Sequence, residues 1–402
     1  MSDPTSNGYA ARVQEGWVRA PLARFLTPNV ETVDVDPKQT YPTVGMLNRG
    51  RGLLYRDPVA GSSTSYKKFN RIGAGVLVYS RLKAFEGAIT VTPGDLPESF
   101  ASQEFPTFAF APDADPGFFR ILTTTQRMWD ALQGASKGMG GRRERVKPAD
   151  FLNIVMEIPP LSVQERISEV IGAVDDQITA LDTEGNALEQ ALDGWIATEF
   201  SAADRHTPLG DIADVQLGKM LSKERAEGPD QAPYVRNADV QWQGLNLTDL
   251  KTMTFTEKDR ARYSLRADDI LSCEGGDPGR SVILSEDLNG IYYQKAVHRV
   301  RATGVDPRFL YVAIKHSYAS GAIADLCTVT TIKHLTAEKY RTLRVPLLGD
   351  EQQARAVEVH DAVFAQIAAI RAEVTRLRQA RAGLLAGLLD RTTEIEPAAL
   401  GA

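Results

Sequence analysis

A chain that repeats itself at a period near 190 residues has to fold as two versions of one plan. Shifted by 189, Gln164 meets Gln353, Arg166 meets Arg355, and Glu169-Val170 meets Glu358-Val359. In the same register Ala173-Val174 meets Ala362-Val363, and Gln177-Ile178 meets Gln366-Ile367. Leu188, Gln190-Ala191 and Gly194 meet Leu377, Gln379-Ala380 and Gly383. Fainter echoes lie outside this segment. Asp115-Pro116 and Phe118 meet Asp306-Pro307 and Phe309 at a shift of 191, Ser80 and Gly87 meet Ser272 and Gly279 at 192, and Pro21-Leu22 meets Pro208-Leu209 at 187. Each copy therefore reads as a divergent globular segment followed by a long, better preserved helix.

The helices are legible from their apolar period. Ile167, Ile171, Val174, Ile178, Leu181, Leu188, Leu192 and Trp195 step by threes and fours, with Gly185 on the same seam. Val363, Ile367, Ile370, Val374, Leu377, Leu384 and Leu388 keep that rhythm, with His360 and Arg381 on the seam. A sustained period near 3.5 residues is a coiled-coil pattern. Proline breaks precede both helices, in Ile158-Pro159-Pro160-Leu161 and Val345-Pro346-Leu347-Leu348. Proline is tolerated there because the N–H groups of a first helical turn have no intrahelical partner. The first helix is acidic (Asp175, Asp176, Asp182, Glu184, Glu189, Asp193) and the second carries Arg371, Arg376, Arg378 and Arg381. This favours pairing of the two, and an antiparallel pair would bring their central portions together.

The expected domains are 1–157, 158–205 (first helix), 206–346, 347–390 (second helix) and a tail, 391–402. The fold class expected is α+β: two mixed α/β domains joined by two long helices in an antiparallel coiled coil, with a pseudo-twofold internal repeat. Gly75 to Ser80 and Asp269 to Ser272 look like strands, and Asp268-Asp269 like turn residues. Ile121 to Leu132 and Pro307 to Tyr318 have helical spacing. No βαβ alternation argues for a parallel sheet.

The net charge of −6 is unlike that of a nucleic-acid binder, but it is unevenly spread. Residues 1–157 hold 19 Lys/Arg against 16 Asp/Glu, net +3, and residues 206–346 hold 19 against 18, net +1. The acid sits in 158–205, with 2 against 10, net −8, and in 347–402, with 6 against 8, net −2. The globular segments can thus bind a polyanion through local patches. Two cysteines, Cys273 and Cys327, make no disulfide framework and fit a reducing cytoplasm. No apolar run is long enough for a membrane span.

Catalytic signatures are missing. There is no Gly-x-x-x-x-Gly-Lys-Ser/Thr phosphate loop, no metal-ligand spacing among His206, His298, His316, His334, His360 and the cysteines, and no amino-methyltransferase Asp/Asn-Pro-Pro-Tyr/Phe stretch. Asp115-Pro116-Gly117-Phe118 matches that stretch only superficially. Gly73-Ala74-Gly75 and Gly138-Met139-Gly140-Gly141 read as turns. Basic loops are present instead. Gly140 to Lys147 carries Arg142, Arg143, Arg145 and Lys147, whose guanidinium forks suit phosphates and guanine edges. At a shift of 189 it faces Thr330 to Leu335, with Lys333 and His334. Ser80 to Gly87 carries Arg81 and Lys83, and faces a loop of equal length ending at Arg280. In Tyr66-Lys67-Lys68-Phe69, basic and aromatic residues interleave. Lys219, Arg236 and Asn237 complete the candidate set.

Taken together, these features resemble the specificity subunit of Type I restriction-modification enzymes. The resemblance runs along nearly the whole chain. It is carried by Ile158-Pro159-Pro160-Leu161-Ser162-Val163-Gln164-Glu165-Arg166-Ile167 and its counterpart up to Gln353. Leu209-Gly210-Asp211-Ile212, Tyr234-Val235-Arg236-Asn237-Ala238-Asp239, Asp269-Ile270-Leu271-Ser272 and Tyr79 to Gly87 add to it. The second proline segment departs from the pattern: it lacks the double proline and is two residues longer, which leaves the start of the second helix open. The resemblance implies a cytoplasmic, non-catalytic DNA-binding protein of phage defence. Its two target-recognition domains would each read half of a bipartite site in double-stranded DNA, with the helices as spacer. It further implies two copies of an adenine methyltransferase subunit and restriction/translocase subunits as partners. No cofactor would bind this chain: S-adenosylmethionine would belong to the methyltransferase, ATP and Mg to the nuclease. A coiled-coil adaptor that binds proteins would explain the helices but not the paired basic loops. A stand-alone DNA-modifying enzyme would need the missing motifs.

Overall fold

The computed structural model describes residues 16–136, 145–327 and 333–395. These fall into two compact units. One comprises the chain up to Ile178 together with the segment from Arg376 onward, and the other is Thr179–Thr375. The two long helices, Leu161–Ser201 and Asp350–Leu389, each contribute to both units. No helix among the described residues is long and apolar enough to cross a membrane.

The first unit is built on short antiparallel strands. Ile89–Val91, Leu77–Tyr79, Thr107–Phe110 and Leu26–Pro28 form one sheet in that order, and Ser99–Ala101, Lys68–Ile72 and Glu31–Asp34 form a second. The run read as a strand at Gly75 to Ser80 appears as Leu77–Tyr79, buried at all three positions. Val18–Pro21 pairs with Val155–Ile158, so the strand that opens the globular part is clipped to the strand that leads into the first long helix.

The expected single helix over Ile121 to Leu132 is two helices, Pro116–Leu122 and Gln126–Ala135. Three threonines cause the break. The hydroxyls of Thr123, Thr124 and Thr125 donate to the carbonyls of Arg120, Ile121 and Leu122, and Thr125 Oγ1 then accepts from Met128 N as the N-cap of the second helix. Hydroxyls that compete for backbone groups favour helix ends over helix interiors.

The second unit has a four-stranded antiparallel sheet, Ala213–Leu217, Val297–Ala302, Ile270–Cys273 and Ser281–Ile283. A three-stranded sheet adds Lys251–Thr254, Gln231–Val235 and Tyr292–Tyr293, the last two paired in parallel. Arg205–Pro208 clips to Arg344–Leu347 just before the second long helix. The Asp-Pro echo takes the same form in each unit. Asp115 and Asp306 are both N-caps followed by proline, the first accepting from Phe118 N and the second from Arg308 N and Phe309 N.

The start of the second long helix, open in the sequence, follows the first. Gln164 and Gln353 each stand three residues after the first helical residue. Gln164 Nε2 donates to Pro159 O at 2.9 Å and Gln353 Nε2 to Leu348 O at 2.8 Å, five residues back in both cases. The amide fixes the entry turn whether or not a second proline is present.

Within the first unit, Ile167 and Ile171 share a core with Leu385, Leu388 and Leu389, and Arg381 Nη2 donates to Asp175 Oδ2 at 2.8 Å. Within the second, Leu192, Ile196 and Phe200 share a core with Ala356 and Val357, and Arg371 Nη2 donates to Glu189 Oε2 at 3.0 Å. Arg381 keeps its place on a largely apolar seam because Asp175 meets its guanidinium. Asp193, by contrast, faces Lys315 rather than an arginine of the second helix, and burial raises its pKa.

Asp269 does more than turn the chain. Asp268 takes the left-handed backbone that a tight turn needs, with φ 67°. Asp269 is only 1% exposed, accepts from Arg266 N at 2.8 Å and grips Arg301 with both oxygens, at 2.6 and 2.7 Å. Removing the carboxylate leaves the part-exposed Arg301 guanidinium without its close partner, so Asp269→Asn should cost about 2–3 kcal/mol. The denaturant midpoint for the second unit would show this, and a loss under about 1 kcal/mol would mean that the pair is dispensable.

Candidate nucleic-acid interface

In the first unit the candidate loops converge on one turn, Ser102 to Phe105. The chain leaves the strand Leu77–Tyr79 into a loop closed by Ser80 N to Ala88 O at 2.9 Å. The loop ends on Gly87, whose φ of 72° and position against Trp129 (2.7 Å from an added Cβ) exclude a side chain. Arg81 N donates to Glu104 O at 2.9 Å, and Val146 N donates to Arg81 O at 3.1 Å. Asn70 Nδ2 donates to Phe105 O at 3.1 Å, which ties in the strand that follows Tyr66 and Lys67. Three segments distant in sequence are thus stitched together by main-chain carbonyls.

The side chains on this frame are largely basic. Arg81 and Arg145 both face Glu104, at 3.8 and 3.4 Å. Lys83 and Lys147 are exposed. Tyr66 is 55% exposed and its ring lies 5.7 Å from that of buried Phe69. Lys67 and Lys68 are exposed, and Lys68 meets Asp34 at 3.3 Å. A cleft of about 240 Å³ lies beside the turn, lined by Tyr66, Phe69, Phe105, Ser102 and Arg56 among others. Arg142 and Arg143 lie outside the described residues. Sequence reasoning missed Glu104 and Arg56. Neither belongs to a basic run or a repeat position, so only the fold marks them.

The second unit carries the same stitch with different side chains. Glu274 N donates to Ala296 O at 2.9 Å, and Leu335 N donates to Glu274 O at 2.8 Å. Gly275 and His334 form an isolated bridge. By these bonds Arg81 corresponds to Glu274, Glu104 to Ala296, and Val146 to Leu335. This corrects the register read from sequence, where a shift of 192 set Arg81 against Cys273 and made the two loops equal in length. Cys273 N bonds Arg280 O where Ser80 N bonds Ala88 O, so the second loop is one residue shorter. Cys273 itself is fully buried, and burial pushes its thiol up to about 11.

Several candidates of the second unit spend their donors inside the fold. Lys219 is 7% exposed, and its Nζ donates to Asp259 at 2.7 Å and Thr254 O at 2.6 Å. Burial opposes ionisation of Asp259, but Lys219 and Thr256 together hold its carboxyl down to about 2. Arg236 forks Asp239 at 2.8 and 2.7 Å, and that hydrogen bond raises the guanidinium pKa. Arg280 donates to Val240 O and Asn237 O, both at 3.0 Å, and meets Asp277 at 3.3 Å. Asn237 Nδ2 donates to Gly275 O at 3.4 Å. Lys333 and His334 are exposed beside the bridge.

Residues 206–377 match the family described as the Type I restriction modification DNA specificity domain. The chain resembles a Type I specificity subunit. Two solved structures share the fold. One comes from work titled as the structural basis of complex assembly and conformational transition of the type I R-M system. It is 17% identical, covers 93% of this chain and 98% of its own, and has a TM-score of 0.58. The other is the Type I restriction-modification S subunit from M. genitalium, 14% identical, covering 95% of this chain and 98% of its own, with a TM-score of 0.55. No curated protein matches the sequence. The fold shared with these two structures covers both units, whereas the family match covers chiefly the second.

Proposed function

We propose that this chain is the DNA-reading subunit of a Type I restriction-modification complex. Each globular segment, 1–157 and 206–346, reads one half of a bipartite site, and the long helices form an antiparallel coiled coil that joins two pseudo-twofold related readers. The observation that carries this reading is the stitch found in both units. The loop after a central strand is bound to a second turn and to a later basic segment, Arg145 to Lys147 in the first unit and Lys333 to Leu335 in the second, and the backbone plan is kept while the side chains differ. That is what two readers of different half-sites need, because phosphate contacts position a protein and base contacts specify the sequence.

The chemistry then lies in partners. Two methyltransferase subunits with S-adenosylmethionine would modify adenine, and restriction/translocase subunits with ATP and Mg would cut. The deciding experiment is methylation-sensitive sequencing of DNA from cells that express this chain with its methyltransferase. A bipartite N6-methyladenine motif is expected; methylation with no sequence preference would overturn the reading.

On the first unit, Arg142, Arg143, Lys83 and Lys147 are proposed phosphate or base contacts. Lys83→Gln and Lys147→Gln should each lower the salt slope of binding to a random-sequence duplex by about one. Titrations between about 50 and 200 mM salt would measure this, and unchanged slopes would make the turn an ordinary surface.

A further inference from the structure

Glu104 sits at the junction of the first unit's stitched segments and carries two guanidinium groups, yet it holds both loosely. Its Oε1 is 3.4 Å from Arg145 Nη2 and its Oε2 is 3.8 Å from Arg81 Nη1. Charge-assisted N–H···O bonds close to about 2.7–2.9 Å, as Asp269 does on Arg301 at 2.6 and 2.7 Å and Asp239 on Arg236 at 2.8 and 2.7 Å. Arg81 Nε and Glu104 Oε2 are buried without a hydrogen-bond partner among the described residues. The stitch does not need the carboxylate, because the Glu104 main-chain carbonyl makes the bond to Arg81 N. At the corresponding place in the second unit Ala296 makes the same bond with no charge at all. An acid is therefore present where the backbone stitch requires none, and it meets its two cations only loosely. An oxyanion that offers better geometry could take those donors, but only by leaving the part-buried Glu104 carboxylate unpaired, which is costly.

We propose that Glu104 stands in for a DNA phosphate. It holds Arg81 and Arg145 in the free protein and in complexes with wrong sequences. It yields them to the phosphate backbone only when the other contacts of a correct half-site bring that backbone close. The residue thus acts as a repulsive element against non-specific DNA, one of the two routes to specificity. This rests on the reading of the first unit as a DNA reader.

The test uses the full chain and a random-sequence duplex, with affinity followed across a salt series. Freed arginines each add a phosphate contact worth about 0.9 in slope, so Glu104→Gln should steepen the slope by about one to two and tighten binding about ten-fold at low salt. In the Glu104→Gln background, Arg145→Gln should remove about half of the gain. Glu104→Asp draws the carboxylate back by one methylene while keeping the charge. It should move in the same direction by a smaller factor, which serves if the glutamine variant does not fold. No gain in any folded Glu104 variant overturns the proposal. Lys83→Gln separates the two ideas, since Lys83 is not held by Glu104. If Lys83→Gln weakens binding and no Glu104 variant gains, the reader stands and the stand-in falls. If Lys83→Gln changes nothing, the reading of this turn as a DNA surface falls and takes the stand-in with it.

Discussion

A chain whose residues 1–157 are exchanged for the equivalent segment of a relative should methylate a site changed in one half only. The other half should be retained, because the second reader, 206–346, is untouched. The original site should lose about 10³-fold in affinity, near 4 kcal/mol, toward the lower end of the difference between specific and non-specific DNA binding because one half is still read. Mapping methylated adenines for the parent and the exchanged chain, each with the same methyltransferase, makes the comparison. The expectation follows from how each unit is closed. Val18–Pro21 pairs with Val155–Ile158 and Arg205–Pro208 with Arg344–Leu347, so each globular segment is sealed by its own first and last strands before a long helix begins. If both half-sites changed together, the readers would not be independent.

The second unit should lose its stability in mild acid. His298 is fully buried. Its Nε2 lies 2.8 Å from Leu335 O while its Nδ1 has no partner among the described residues, and burial depresses its pKa to about 4. His360 is 2% exposed and is also depressed to about 4, by burial first and then by the positive charges of Lys315 and Arg308 from the helix packed against it. The Asp361 carboxylate 3.0 Å away does not rescue the charged form, since it also pairs with Arg308.

Both rings are therefore neutral in the folded state and protonate in the unfolded chain below about 6.5. Their contribution is fully present above that pH and is lost as the pH falls from about 6.5 to about 4. Each pH unit in that window costs about 1.4 kcal/mol per ring, so each histidine is worth roughly 3 kcal/mol. Together they rival the whole stability of an ordinary domain, about 5–15 kcal/mol. Denaturation of the intact chain, followed by hydrogen exchange of second-unit amides, should show stability falling by up to about 2.7 kcal/mol per pH unit across that window. His360→Gln should about halve this slope. A slope near zero between pH 6.5 and 4 would show that neither ring takes up a proton on unfolding.

The two histidines also illustrate what a linear reading could reach. His360 was placed on the helical seam by period alone, and it is buried there. What makes it titrate abnormally is Lys315 and Arg308, which only folding brings near. The long helices, and the recurrence of Gln164 at Gln353 and of Asp115-Pro116 at Asp306-Pro307, were legible for one physical reason: each is a pattern of residues within a few positions of each other. The turn and the caps that these residues make are local too, but only the structure showed them.

The tertiary structure decided everything that joins distant segments. It divided each long helix between two cores, split an apparent helix at Thr123 to Thr125, and moved the loop register by one residue. It also sorted the cations. In sequence Lys219, Arg236, Arg280, Arg81 and Arg145 are equivalent basic candidates. In the fold the first three meet buried acids or carbonyls at close range, while Arg81 and Arg145 meet Glu104 from a distance. Whether a charge serves the fold or a ligand depends on which opposite charge lies within about 4 Å; that neighbour is three residues away for Arg236 and Arg280 but tens of positions away for Lys219, Arg81 and Arg145. Local pattern determined the plan of two globular segments and two long helices; only chain closure determined which arginines are held at close range and which are not.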